Sequence, residues 1–302
     1  MSEPAGSTSD PAEILAGWKT ARAQSLNNRA AAAQLGVSEA QLIASACGTF
    51  VTRLRPDFAA LLSELPALEE IKAIVRNPLA VLERTGVVES VTHTLADLIR
   101  VAADRFHADC WVDLWCKVFA LEEHSRRGVK RSLQFFTDDG ISAAKFFLRP
   151  GSDLAHFLTL TQRYAHLDQC AAESVEAPRA HHYSPVDRLT EAPDGALFAF
   201  LNAASAANDP LTFIVRNPVA ALSATKSIDR VKRSGAGAWV NVLDEGMDLH
   251  LHEAHARYVR LVPDSEGDSG YFHWLSEQRD VILSVHTATS WETLNEAIDA
   301  AV

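Results

Sequence analysis

The sequence is short of cysteine, of long apolar runs, of nucleotide-binding loops and of net positive charge, and each shortage removes a class of function. Four cysteines occur in 302 residues, at Cys47, Cys110, Cys116 and Cys170. None belongs to a CxxC pair or has histidines at zinc-finger spacing, so neither a disulfide framework nor a structural zinc site is expected. No run approaches the ~18 apolar residues that a membrane-spanning helix needs. The opening MSEPAGSTSDPAE is acidic and turn-rich, the reverse of a secretory signal, and the cytoplasm is the expected compartment. With 39 acidic against 28 basic residues the formal net charge is -11, which disfavours nucleic acid or an anionic membrane as partner. No P-loop, GxGxxG or Ser-His-Asp context appears, and GAGA at 235–238 reads as a turn before a strand.

What the chain does have is a core and a repeat. Hydrophobic residues make up 47% and charged residues 22%, a balance that suits one large domain or two of ordinary size. The run IKAIVRNPLAVL at 71–82 returns as LTFIVRNPVAAL at 211–222. Upstream, VTRLRPDFAALLSELPALEE (51–70) parallels VDRLTEAPDGALFAFLNAAS (186–205). Both read as a short extended V-x-R-L, a turn, and an amphipathic helix feeding a strand that ends in Arg-Asn-Pro. Proline lacks a backbone donor and holds its predecessor extended, so each strand should stop or bend at Asn77 and Asn217.

Downstream the halves also run parallel. DCWVDLWCKVFALEE (109–123), SLQFFTDDG (132–140) and AAKFFLRPG (143–151) precede a helix at 153–167. The second half offers AWVNVLDEGMDLHLHE (238–253), HARYVRLVPDSEG (255–267), GYFHWLSEQRD (270–280) and VILSVHT (281–287) before a helix at 289–301. Period-two alternation between turn signals predicts antiparallel strands with one buried face. The expected fold class is α+β with an internal duplication, each half holding a large antiparallel sheet flanked by helices. The halves are expected at 1–169 and 186–302, with a shortened linker at 170–185. They differ in one respect: residues 1–50 precede VTRL, whereas only CAAESVEAPRAHHYSP (170–185) precedes VDRL. A helical module of the first copy is largely missing from the second.

Four segments, QLGVSEAQL (34–42), VTRLRPDFAALLSELPALEEIKAIVRN (51–77), SLQFFTDDGISAAKFFLRPGSDLAHF (132–157) and VKRSGAGAWVNVLDEGMDLHLHE (231–253), resemble bacterial hemin-degrading and heme-trafficking proteins of the HemS/ChuS type. The likeness spans nearly the whole chain in the same order and includes the duplication. It implies two HemS-like halves, heme in a cleft between them, one axial histidine on the iron, and basic and aromatic side chains around the propionates. Such proteins pass heme on, or help open its ring, in the cytoplasm. The resemblance sets the axial histidine in the helical module that this chain has mostly lost. The nearest residues are His181 and His182 in RAHHYSPVDRL, and His182 is the candidate iron ligand. It also sets an arginine over the open heme face, where HADCWVDLWCKVF carries an acidic or apolar residue.

A heme iron takes a neutral imidazole from a rigid element, and propionates take Lys or Arg. The heme candidates are His181, His182, His250, His252, Lys232 and Arg233. His181 and His182 lie between Pro178 and Pro185, where a solvated loop is the plainer reading. His250, His252 and His255 form H-x-H-x-x-H. On a strand His250 and His252 share a face, a spacing for a metal such as zinc or for one ring on heme, against the plainer reading of a polar strand face. Lys232 and Arg233 stand just before WVNVLD and suit propionates; Lys130, Arg131 and Arg149 are further basic residues to weigh. Trp111, Trp115, Phe119, Phe135, Phe136, Phe146 and Phe147 have strand spacing and read as core. LGVSEAQLIASA has the turn of a helix-turn-helix, which the acidity of the chain disfavours as a nucleic-acid reader.

Three functions follow from these readings. The first is a cytoplasmic heme-binding protein for heme trafficking or utilisation in iron acquisition, working with a heme-acceptor protein; ring opening stays undecided because it needs a defined axial ligand. The second is a scaffold that has lost heme and binds another small hydrophobic ligand or a partner. The third is a metal-dependent enzyme using His250, His252 and His255. Fold alone does not choose among them.

Overall fold

The computed structural model describes residues 10–95, 97–125, 128–177, 189–234, 239–264, 269–288 and 291–299. Three helices open it: α1 (Pro11–Ala23), α2 (Asn28–Leu35) and α3 (Glu39–Ala44). Each starts where the sequence supplies a side-chain acceptor for an otherwise unpaired N–H. Asp10 takes that of Ala12, Asn27 that of Ala30, and Ser38 closes a reciprocal capping box with Gln41. Leu42, Ile43 and Ala44 are fully buried, so α3 is a packed helix and not one presented to a groove.

The first half continues with β1 (Val51–Arg53), α4 (Phe58–Ser63), β2 (Glu69–Arg76), β3 (Ala80–His93), β4 (Leu98–Ala103), β5 (His107–Trp111), β6 (Trp115–Ser125), β7 (Gly128–Thr137), β8 (Ser142–Ser152) and α5 (Leu154–Tyr164). The second half comprises β9 (Thr190–Glu191), α6 (Ala196–Ala207), β10 (Leu211–Asn217), β11 (Ala220–Lys226), β12 (Val231–Arg233), β13 (Trp239–Asp244), β14 (Met247–His252), β15 (Tyr258–Pro263), β16 (Gly270–Leu275), β17 (Val281–Thr287) and α7 (Trp291–Asp299). None of the described helices is long and apolar enough to cross a membrane.

The strands pair antiparallel in two sheets. The first runs β1-β6-β7-β8-β2-β3-β14-β13-β12. The second runs β9-β15-β16-β17-β10-β11-β5-β4-β3. Each sheet takes six strands from one half and continues with three from the other, so the duplication is written into the topology. The long strand β3 serves both: it pairs with β2 as far as Val87 and with β4 from Val88, through an irregularity between Val88 and Ser90. Gly86 stands next to that passage, where an added Cβ would lie 2.6 Å from Asp104 Oδ1 and would push that side chain aside.

The alternating stretch 109–123 is not one strand. A 3-10 turn at Val112–Leu114 separates β5 from β6 and sends them to different sheets, and Glu253–His255 does the same between β14 and β15. Apolar residues continue through the first of these turns, so alternation alone gives no sign of the crossing.

The repeated motif lies where the sheets meet. β2 ends at Arg76 and β10 at Asn217, with Pro78 and Pro218 in the turns that follow, as the proline argument requires. Asn77 Oδ1 accepts the N–H groups of Leu79 and Ala80 at 2.9 and 2.8 Å, and Asn217 Oδ1 accepts those of Val219 and Ala220 at 3.0 and 2.9 Å. Each amide nitrogen then reaches into the other half. Asn77 donates to Arg216 O and Ile282 O at 3.2 and 2.9 Å, and Asn217 donates to Arg76 O and Ala143 O at 3.2 and 2.9 Å. The two turns clamp each other.

One continuous core fills the inner faces of both sheets. Phe58 of α4 meets Trp115 and Phe135, and Phe200 of α6 meets Phe272 and Trp274 with ring centroids 4.9 and 5.5 Å apart. A second cluster seals α1–α3 onto the outer face of the first sheet through Phe119, Leu121 and Phe136. No helix among the described residues packs on the matching outer face of the second sheet. Of the aromatic residues expected in the core, Trp111 and Phe147 are only half-buried.

Asn217→Ala removes two donors across the halves and two acceptor bonds within its turn, at a residue only 6% exposed. Stability should fall by about 2–4 kcal/mol, and by less in Asn77→Ala, whose side chain is half-buried. Urea unfolding of both variants checks this; equal and negligible losses would contradict the clamp.

Candidate functional site

The outer faces of the two sheets are built from equivalent strands but carry different chemistry. On the first sheet the cross-strand register sets Phe119, Gln134, Lys145 and Ile74 in one row, with Arg76 two residues along β2. Helix α3 lowers Glu39 onto this row. Its carboxylate pairs with Lys145 and lies 3.7 Å from Arg76, and Arg29 of α2 donates to Asn77 O beside them. Burial alone would push the Glu39 carboxyl up, but Lys145 and then Arg76 outweigh it and hold the group below its ordinary value.

On the second sheet the equivalent row is Arg260, His273, Ser284 and Ile214, with Arg216 two residues along β10. Arg216, Arg260, His273, Leu275, Val281 and Ser284 line a cavity of about 140 Å³. His273 Nδ1 lies 2.8 Å from Ser284 Oγ. Tyr271 stacks nearly parallel on His273 at 5.6 Å, and the His286 ring is 4.6 Å from Tyr271 on its other neighbour strand. His286 in turn meets Asp264 at 3.2 Å. Among the described residues neither Arg216 nor Arg260 has a carboxylate partner. Burial, followed by the charges of Arg260 and Arg216, holds His273 below the ordinary imidazole value, so its ring is neutral near pH 7.

The same face extends onto β5 and β4. Asp109, within the segment where the HemS/ChuS resemblance sets an arginine, accepts two bonds from Arg100 at 2.7 and 2.8 Å. A guanidinium is therefore present there, supplied by the neighbouring strand and already engaged by the acid.

The residues singled out from sequence are distributed differently. His181 and His182 lie outside the described residues. Lys232 stands opposite Asn241, and Asn241 stands opposite His250, whose Nδ1 is 2.6 Å from Asn241 Oδ1. Lys232 and His250 thus share a row at the far end of the first sheet, and Lys232 is exposed. Arg233, as the next residue of the strand, faces the other way. It makes two bonds to Glu253 at 2.8 and 2.9 Å and lies 4.1 Å over the Phe198 ring of α6, so its charge is engaged. The His252 ring packs between Trp239 and His255, at 4.9 and 4.5 Å, and burial followed by His255 lowers its pKa. His250 and His252 do share a face, but His250 is turned to Asn241. No group of three or more His, Cys, Asp or Glu side chains among the described residues is arranged to hold a metal ion.

The cluster of Arg216, Arg260, Tyr271, His273, Ser284 and His286 has no counterpart among the candidates expected from the sequence. Only Arg216 had a visible signal, as the arginine of the second IVRNP. The others become comparable with Phe119, Gln134, Lys145 and Phe147 once the strand register is known.

A duplicated α+β protein with strand exchange between its halves, and with one outer sheet face that no described helix covers, is the class that fold and site define. Residues 36–164 match the protein-family model of the haemin-degrading HemS.ChuX domain. The hemin transport protein HemS of Yersinia enterocolitica is 33% identical over 154 residues, which is 48% of this chain and 44% of that protein. The aligned segment thus spans less than half the length of that relative. Holo-PhuS, a heme-binding protein from Pseudomonas aeruginosa, superposes with a TM-score of 0.86 at 26% identity, covering 97% of this chain and 99% of that one. The Escherichia coli O157:H7 heme degrading enzyme ChuS shares the fold, with a TM-score of 0.83 at 19% identity and coverage of 96% and 99%. Residues 36–164 thus resemble the HemS.ChuX domain, and nearly the whole chain shares the fold of PhuS and ChuS.

Glu39→Gln leaves Lys145 buried without its partner and should cost about 3–5 kcal/mol of stability. Because the folded-state value of Glu39 is depressed, its contribution is present above the ordinary glutamate pKa and is lost as pH falls through the folded value. Denaturation curves from neutral pH into the acid range should therefore be flatter in the variant than in wild type. Replacing Arg216 and Arg260 together by Gln should move the His273 titration midpoint upward, toward the ordinary imidazole value, in an NMR titration of its ring protons. In wild type that depressed midpoint means stability from His273 is complete above the ordinary value and is lost as pH falls toward the folded one.

Proposed function

We propose that this protein is a cytoplasmic heme-binding protein that carries heme in iron acquisition and delivers it to an acceptor protein. The observation that carries the reading is the likeness to holo-PhuS, a heme-binding protein, across 97% of this chain and 99% of that one. The HemS relative is likewise a hemin transport protein. The functional division at 1–169, 170–185 and 186–302 belongs to the same proposal.

The residues of the second sheet's outer face suit the group. Arg216 and Arg260 have no carboxylate partner among the described residues and can take carboxylates, while Tyr271 and His286 offer flat ring surfaces on the same face. Heme when bound supplies an iron that needs an axial donor. His182, eight residues before the start of β9, remains the candidate iron ligand, and His286 on the sheet is a donor that the described face supplies. Lys232, His250 and His252 lie on the outer face of the first sheet and are the secondary candidates. The proposal is of binding and transfer, with no ring-opening step assigned.

One observation favours a second reading, a scaffold that takes another small ligand: no helix stands between α5 and β9 among the described residues to deliver a donor from a rigid element. The metal-enzyme reading has no comparable support, because His250, His252 and His255 do not converge.

Titration of the purified protein with hemin should give a saturable Soret shift near one equivalent. His182→Ala or His286→Ala should weaken binding at least about tenfold, as loss of an axial bond implies, while His250→Ala leaves it unchanged. Absence of any saturable shift in wild type would sink the heme reading, and an effect confined to His250→Ala would move the site to the first sheet.

A further inference from the structure

We infer that Cys47 and Cys170 form an oxidation-sensitive pair, and that a disulfide between them straps residues 165–177 to the first half. All four cysteines are free thiols, with Cys47 and Cys110 buried and Cys116 and Cys170 exposed. Cys47 and Cys170 are distant in sequence, yet both stand against Arg53. Cys47 follows α3 and pairs with Val51 in an isolated parallel bridge at the start of β1. Cys170 lies in the segment that leaves α5 and turns back along β1, where His166 N–H donates to Arg53 O at 2.9 Å.

Arg53 gathers that segment. Its N–H donates to Gln169 Oε1 and its carbonyl accepts from Gln169 Nε2, both at 2.9 Å. Its guanidinium donates to Cys170 O at 2.8 Å and to Ala172 O at 3.2 Å, and pairs with the Glu173 carboxylate. Gln41 of α3 donates to Glu173 O at 3.3 Å, and Glu176 N–H donates to Asp138 O at 3.1 Å. The Cys47 thiol shares these surroundings, since Arg53, Glu173 and Cys170 are the titratable groups that act on it. None of residues 165–177 is buried, so the segment is held by hydrogen bonds and an ion pair and not by a core of its own. A covalent bond adds what packing does not supply there.

The two thiols differ in the way such a pair requires. Cys170 is exposed and is the sulfur that an oxidant in solution reaches. Cys47 is 8% exposed, and burial pushes its thiol up to about 11, so it stays protonated near pH 7. The charge of Arg53 and its backbone N–H act the other way, steadying the thiolate that Cys47 becomes when it attacks. With hydrogen peroxide as oxidant, the Cys170 sulfur takes one peroxide oxygen, the O–O bond breaks, and the other oxygen leaves as water. The Cys47 sulfur then attacks that of Cys170, the S–O bond breaks, and the departing hydroxide takes the Cys47 proton as a second water. Two thiols and one peroxide give one disulfide and two waters; the thiols lose two electrons and the peroxide gains them.

The test uses the full chain carrying Cys116→Ser, which removes the other exposed thiol. After peroxide treatment, non-reducing peptide mass mapping should find Cys47 joined to Cys170, and dithiothreitol should restore both thiols. With Cys47→Ser added, Cys170 should stop at the sulfenic acid and be trapped by dimedone. With Cys170→Ser added instead, Cys47 should remain a free thiol. Hydrogen exchange across residues 165–177 should slow at least about tenfold on oxidation of the parent chain and stay unchanged in the Cys47→Ser variant. Cys170 carried to the sulfinic acid, or joined to a second chain, while Cys47 stays free in the parent chain would overturn the pair. A Cys47–Cys170 bond that leaves exchange across the segment unchanged would overturn the strap.

Discussion

The reciprocal asparagine clamp holds the arrangement together. Asn77 and Asn217 each spend the carbonyl oxygen on their own turn and the amide nitrogen on the opposite half. An amide is suited to this because it accepts and donates at once, and the following proline fixes the direction in which the chain leaves. Set back to back, the two turns start β3 and β11 at the seams where strands of the other half join, β14 on β3 and β5 on β11. Aspartate in either place would keep the turn and lose the crossing.

From the clamp outward the halves diverge, and the divergence is one of charge. The first half covers its outer sheet face with α1–α3 and neutralises the cations beneath with Glu39. A buried pair of this kind gains little over a packed apolar contact, but it penalises any docking of the helices that leaves a charge unmatched. The second half keeps two cations on its outer face, beside histidine and tyrosine, and no described helix packs there as α1–α3 do on the first.

Much of the architecture was legible in the sequence because it is carried by local rules. The duplication, the stop at each Arg-Asn-Pro, the antiparallel strands and the helices closing each half all follow from periodicity, proline and turn residues. The passage of β3 between sheets and the 3-10 turns at Val112–Leu114 and Glu253–His255 were not legible, since apolar spacing says which face is buried but not which sheet the strand joins. The site suffered most from this. Lys232 and Arg233 stood out as adjacent cations, yet adjacency on a strand puts them on opposite faces. Arg260, His273 and Ser284 are far apart in the chain and meet only through register. The H-x-H spacing correctly put His250 and His252 on one face, but Asn241 and Trp239 take up their rings.

Membership of β3 in both sheets bears on how this protein can be divided. A lone half would lose the strands that complete the other's sheet and would expose long, unpaired edges at β3 or β11. Such edges pair readily with another chain, and the natural complement is a second copy of the same half. The chain thus has the form of a covalent dimer whose protomers were joined end to end. The joining freed one copy from matching the other, so that one face could be closed by its own helices while no described helix closes its counterpart.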